Sequence, residues 1–246
     1  MDATLLAEHL TAWLRREIEA RKGRGAVLGL SGGIDSAVVA ALAQRAFPDG
    51  TLCVLMPCHS DPADADDAMV VAQHYGLRTL TVDLSAAYDE VVAALGRAAS
   101  ELPDHRLATA NVKPRLRMIT LYAFANLHGY RVLGTGNLDE LTIGYFTKYG
   151  DGGADLLPLG SLTKGEVRDL AGALGMPQRI IEKPPSAGLW AGQTDEGEMG
   201  LTYEHLDAFM RGGEVPADVR ARIEALRDAS AHKRALPKVA PLPGAG

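Results

Sequence analysis

Ala26-Val27-Leu28-Gly29-Leu30-Ser31-Gly32-Gly33-Ile34-Asp35-Ser36 is the stretch whose reading decides the fold. Its first five residues are a short apolar run of buried-strand type, and a glycine turn follows. Ile34–Arg45 is a helical stretch. Outward from it, Thr51–Met56, Arg78–Leu84 and Arg131–Leu133 read as further strands. Helices are predicted over 2–22, Pro62–Tyr75, Ser85–Ala99, Leu116–His128, Thr163–Leu174 and Val215–His232. Asp61 before Pro62 is a good N-cap followed by proline at the first helical position. Strands alternating with helices indicate βαβ units. The fold class is therefore α/β, a Rossmann-like, doubly wound, mainly parallel sheet with helices on both faces. Residues 1–236 read as one domain and 237–246 as a loose Pro/Gly-rich tail.

Composition narrows the function. The chain has 246 residues, 25 Lys+Arg and 31 Asp+Glu, a formal charge of −6. An acidic balance argues against a nucleic-acid partner. No apolar run reaches the roughly 20 residues needed to cross a bilayer, so no membrane partner is expected. Cys53 and Cys58 cannot build a disulfide framework, which points to a reducing, cytoplasmic setting. Cys53 reads as core, and Asp64, Asp66 and Asp67 as the solvated face of a helix's first turn. Residues 144–160 and 184–200 read as long loops, of the length that usually carries function.

The turn Gly29–Ser36 carries the chemistry. Its glycines let successive backbone N–H groups converge, the following helix adds partial positive charge, and Ser31 and Ser36 add hydroxyls. This is a phosphate cradle. Asp35 within it is accounted for by a divalent cation on the phosphates. No Lys precedes Ser36, so the Walker A pattern fails. Gly134-Thr135-Gly136-Asn137-Leu138-Asp139 lacks the third glycine of a dinucleotide fingerprint. Gly29-Leu30-Ser31-Gly32-Gly33 matches the nucleophile elbow of α/β-hydrolases, but no earlier strand supplies an oxyanion loop and Asp35 would have no role.

Ser31-Gly32-Gly33-Ile34-Asp35-Ser36 resembles the pyrophosphatase loop of the N-type ATP pyrophosphatases, which split ATP between its α and β phosphates. The second half resembles the NAD synthetases among them. That likeness rests on Asn111–Met118, Gly134–Asn137 with Glu140, Gly144–Gly152, Leu157-Pro158-Leu159, Lys164, Glu182–Ala187 and His232-Lys233-Arg234. It implies that Gly29, Leu30, Ser31, Gly32, Gly33, Ile34, Asp35 and Ser36 bind ATP, together with Thr135, Lys164 and Ser186. It further implies that Arg115, Lys148, Asp155, His232 and Lys233 bind deamido-NAD, and that Asp35 and Glu140 hold Mg²⁺. Many relatives have Thr at the Ser186 position, and the hydroxyl survives here.

The expected reaction is ATP-dependent amidation of deamido-NAD to NAD by free ammonia, through an acyl-adenylate, with release of AMP and pyrophosphate. Another ATP pyrophosphatase, such as one acting on tRNA, and a non-catalytic nucleotide-binding module are the alternatives. The resemblance begins within the first helix, so no glutaminase domain is expected in the chain. Without the resemblance, His232-Lys233-Arg234 would read as a helix C-terminal charge cluster. The helix over 116–128 is apolar nearly all round, which calls for a second copy, and the family's dimers resemble this.

Overall fold

In the computed structural model, which describes residues 2–190 and 192–240, four parallel strands lie in the order β3-β2-β1-β4. They are β1 (Ala26–Gly29), β2 (Thr51–Leu55), β3 (Thr79–Thr81) and β4 (Arg131–Val132). Val27 is in register with Leu52 on one side and Val132 on the other. The chain thus builds outward from β1 to β3, then returns to place β4 on the opposite edge of β1. That reversal between β1 and β4 is the switch point where ligands bind in open α/β sheets.

Alternate residues of the strands feed two cores, as a sheet buried on both faces requires. Leu28, Cys53 and Leu55 face α1 (Ala3–Ala20), α2 (Ile34–Ala46) and α8 (Lys164–Leu174). Val27, Leu52 and Val54 face the other way, toward Leu84 and toward Leu121 and Phe124 of α6 (Val112–His128). Helix α1 starts where the Asp2 carboxylate accepts from Thr4 and Leu5 N–H groups at 2.8 and 3.0 Å. Its Leu14 and Ile18, one turn apart, are fully buried, each burial worth roughly 1.5–3 kcal/mol.

The remaining helices are α3 (Pro62–Tyr75), α4 (Ser85–Ala98), α5 (Arg106–Ala110), α7 (Leu138–Ile143), α9 (Gln178–Ile181), α10 (Asp195–Met199), α11 (Tyr203–Met210) and α12 (Ala217–Ala229). Several differ from the sequence reading. Helix α6 begins at Val112 rather than Leu116, because Pro114 stands in the first turn, where a missing N–H costs nothing. The loop over 184–200 contains α10, capped by the Thr194 side chain on the Gly197 N–H. The last helix ends at Ala229, and Ala231–Lys233 is a separate 3₁₀ turn. Asp67 is buried at 8% exposure, against the solvated face expected of it. Of the tail, 241–246 lie outside the described residues.

Candidate active site

Two loops meet at the switch point: Leu30–Gly33 after β1, and 133–137 after β4. Gly32 sits at φ +80°, and a side chain there would drive a Cβ to 2.4 Å from the Asp64 carbonyl oxygen of α3. Only glycine fits this bend and this approach. The two serines lock the loop. Ser36 Oγ donates to the Gly33 carbonyl at 2.9 Å, accepts from Ser31 N at 3.2 Å, and lies 3.0 Å from Ser31 Oγ.

Asp35, in the first turn of α2, reaches across to both other contributors. Its Oδ1 accepts from Asn137 Nδ2 at 3.1 Å, and its Oδ2 is ion-paired with Lys164 Nζ. Asn137 caps α7 in a reciprocal box with Glu140, so one residue fixes both Asp35 and Glu140. Lys164 is 1% exposed. Its Nζ lies 5.0 Å from the ring centroid of Tyr203 on α11. Its backbone N–H donates to Asp139 Oδ2 at 2.7 Å, and that of Gly165 to Asp207 Oδ2 at 2.9 Å. These two acids and the Thr163–Glu166 capping box satisfy the start of α8.

Electrostatics follow from this crowding. Burial works against the Lys164 charge, but Asp35 and Glu140 outweigh it and raise its pKa above the usual lysine range. Burial, then the neighbouring Asp35 carboxylate, pushes Glu140 up to about 8. Burial also pushes Asp139 up to about 7, with Asp207 beside it adding to the rise. Lys164 is hydrogen-bonded to Asp35 and offsets the Glu140 charge only in part, so burial and Asp35 keep the Glu140 carboxyl raised. Two carboxylates suit a divalent cation of the hard, oxygen-seeking kind, with phosphate oxygens completing its shell.

A cavity of about 580 Å³ opens at this point. It is lined by Gly29, Leu30, Ser31, Gly33, Ile34, Asp35, Ser36, Thr135, Glu140, Lys164 and Ser186. Gly32 turns away from it, against α3. Lys233 also lines the cavity, donating to the Gly144 and Phe146 carbonyls at 2.8 Å each. Arg115, Lys148, Asp155 and His232 do not line it. Three of them are joined outside it: Arg115 donates to the Lys148 carbonyl at 3.3 Å, and Lys148 Nζ to the His232 carbonyl. Asp155 takes the Val132 N–H at 2.8 Å and the Tyr122 hydroxyl at 3.3 Å. Arg234 donates to Leu141 and Thr142 carbonyls. Arg234 also donates to the Arg227 carbonyl, and His232 Nδ1 lies 3.2 Å from the Ala229 carbonyl, so the charge cluster complements the end of α7 as well as that of its own helix α12.

Sequence reasoning quoted Asn137 and Lys183 within motifs but gave them no role, and it missed Tyr203 and Asp195 altogether. Asn137 was legible, since Asn three residues before Glu is a capping-box signature. Tyr203 was not: its hydroxyl donates to Asp195 Oδ2 at 2.9 Å and lies 3.5 Å from Glu140 Oε1, 63 residues earlier in the chain. Cys53 and Cys58 are both buried and unpaired. Burial pushes the Cys53 thiol up to about 12, and raises that of Cys58 although Arg117 and Lys113 oppose it.

Comparison with known proteins bears on what this cavity is. The family model for NAD synthase matches residues 6–237. An NH3-dependent NAD+ synthetase of Carboxydothermus hydrogenoformans is 50% identical over 94% of this chain and 95% of its own length. The solved structure of an NMN synthetase from Francisella tularensis superposes with a TM-score of 0.93 at 37% identity, covering 98% of this chain and 100% of that one. An NH3-dependent NAD synthetase from Campylobacter jejuni gives 0.81 at 27% identity, covering 98% and 100%. A serine-locked glycine loop at the switch point, a buried lysine paired to the aspartate within it, and a match over nearly the whole chain lead to one conclusion: the chain belongs to the NAD synthase family.

Proposed function

We propose that the chain is an ammonia-dependent ligase that converts deamido-NAD to NAD, with ATP as the activating substrate. The observation that carries this reading is the Asp35–Lys164–Glu140 cluster beside the glycine loop, in a chain of this family. A carboxylate is a poor electrophile toward an amine. Transfer to it of the adenylyl group of ATP creates a good leaving group, AMP, and ammonia then displaces it.

The residues divide this work by position. The glycine loop and the N-terminus of α2 receive the phosphates and the departing pyrophosphate. Lys164, rigidly held, offers fixed positive charge to the phosphates, and preorganised charge of this kind needs no rearrangement as the reaction proceeds. Thr135 and Ser186 add hydroxyl-bearing side chains to the cavity lining. Asp35 and Glu140 would hold Mg²⁺, which supplies charge neutralisation on the phosphate oxygens. Ammonia must arrive neutral, since ammonium has no lone pair.

The outer group Arg115, Lys148, Asp155 and His232, with Lys233 at the cavity wall, fits the second substrate. Arg115 lies on α6, whose Ile119 and Leu127 are 59% and 73% exposed. A second copy covering this face would form a homodimer and close the outer subsite, burying apolar area that water otherwise meets. No helix among the described residues is long and apolar enough to cross a membrane. Two unpaired buried cysteines fit a reducing cytoplasm.

A second acyl substrate is favoured by one observation, the close superposition on an NMN synthetase. Both candidate acids carry the same nicotinate carboxyl and differ in the adenylyl half. Parallel assays with deamido-NAD and nicotinate mononucleotide, each with ATP, Mg²⁺ and ammonium, test the reading. A higher kcat/KM for deamido-NAD supports it, and a preference for the mononucleotide replaces it with NMN synthesis.

A further inference from the structure

Lys183 is a cation that the family resemblance leaves without a role. Its ammonium lies 2.7 Å from Asp64 Oδ1 and 2.6 Å from Asp67 Oδ2, and Arg179 also pairs with Asp67. Asp64 and Asp67 stand in the first two turns of α3, the surface on which Gly32 rests: a Cβ on Gly32 would meet the Asp64 carbonyl at 2.4 Å and Asp67 Cβ at 2.8 Å. Lys183 is therefore held one side-chain's reach from the tip of the glycine loop. It lines the same cavity as Gly33, Asp35, Ser36 and Ser186. Its side chain is not sealed in, at 24% exposure.

Donor bookkeeping shows what remains. An ammonium has three N–H donors, and the two aspartates take two. Among the described residues the third is unspent, beside a cavity that has to accept a highly charged leaving group. Asp64, Asp67, Lys183 and Arg179 sum to zero, so the quartet is stable with the cavity empty, while an arriving anion still finds a fixed positive centre. Lys164 is another ammonium of the same cavity, held by Asp35 and not by the α3 carboxylates, so the two cations meet the phosphates from different anchors.

On the reading of this cavity as the ATP site, we propose that Lys183 binds the β,γ-pyrophosphoryl group of ATP and the released pyrophosphate, with Asp64 and Asp67 positioning its ammonium. The bland alternative is a staple that only ties 183–187 to α3. The two differ in the effect of the aspartates. For a staple, removing either end of the pair is equivalent. For a phosphate ligand, Asp64→Asn leaves the cation in place with one carboxylate fewer competing for it.

Calorimetric titration of inorganic pyrophosphate with Mg²⁺ into the full chain separates these. Lys183→Met should weaken binding by about ten-fold or more, the loss of one charge-assisted contact, while Asp64→Asn binds as tightly as the wild type or more tightly. Wild-type affinity in Lys183→Met, or equal losses in both variants, overturns the proposal. Should Lys183→Met fail to fold by circular dichroism, Lys183→Gln keeps a neutral donor to Asp64 and is measured instead, with the same weakening expected and wild-type affinity again contradicting it. The titration uses neither deamido-NAD nor ammonia. A wild-type chain that binds pyrophosphate but makes no NAD would end the proposed function and leave this assignment standing.

Discussion

Asp35 and Lys164 are 129 residues apart in the chain, yet their ion pair joins the first turn of α2 to the first turn of α8, with the lysine side chain 1% exposed. Burying a lysine this deeply is costly unless its charge is used. Lys164→Met keeps the packing volume and removes the charge, so ATP–pyrophosphate exchange should fall by about 100-fold or more, the scale of losing one preorganised charge contact. Exchange within a few-fold of wild type would assign Lys164 to structure alone.

Asp35 and Glu140 carry the metal assignment. Asp35→Asn and Glu140→Gln should each lower turnover by about two orders of magnitude or more while far-ultraviolet circular dichroism stays unchanged. Binding of Mn²⁺ in the presence of ATP, followed by electron paramagnetic resonance, should weaken in both. Near-normal turnover and Mn²⁺ binding in both variants would remove the metal from these residues.

Asp67 should make a pH-dependent contribution to stability. Burial opposes its charge, but hydrogen bonds from Lys183 and Arg179 outweigh that and hold its pKa below the ordinary 3.8. A carboxyl with a depressed folded-state pKa stabilises the fold above its unfolded value, and the benefit is lost as pH falls through the folded value. Asp67→Asn should therefore cost about 1–3 kcal/mol at neutral pH, and progressively less as the solution is acidified below about pH 4. Urea unfolding at several pH values measures this, and a cost independent of pH would contradict the ion-pair account.

Much of this architecture was legible beforehand because its signals are local. The alternation of Ala26–Leu30 and Thr51–Met56 with helical stretches gave the parallel sheet, and Gly29–Ser36 marked the loop at the switch point. The paired carboxylates Asp35 and Glu140 came with the family resemblance. What escaped reading depends on distant partners. Asp67 looks like a solvated acid until Lys183 and Arg179, 116 and 112 residues away, fold onto it. Tyr203 and Asp207 look like an ordinary helix turn until α11 packs on the start of α8. The short helices α5 and α10 have too few residues to show a period.

Oligomeric state is tested by mass. Exposed Ile119 and Leu127 on α6, beside Arg115, should be covered in a homodimer. Sedimentation equilibrium at micromolar concentration should give twice the chain mass of 26.0 kDa. A species at the chain mass itself would leave this face open and the outer subsite unshared.

Neutral ammonia as the nucleophile sets a pH dependence of its own. At fixed total ammonium the NH3 fraction rises with pH, so the apparent KM for total ammonium should fall toward alkaline pH. The KM recalculated for NH3 should stay constant. Glutamine freed of ammonia should not replace it, because both cysteines are buried and the Cys53 thiol stands near 12, which leaves no thiolate to open the amide.

The most direct measurement of the central claim is product stoichiometry with ATP, Mg²⁺, ammonium chloride and deamido-NAD, followed by chromatography of all nucleotides and a pyrophosphate assay. The account predicts NAD, AMP and pyrophosphate in equal amounts over many turnovers. ADP and orthophosphate in their place, or ATP cleavage without NAD, would contradict it.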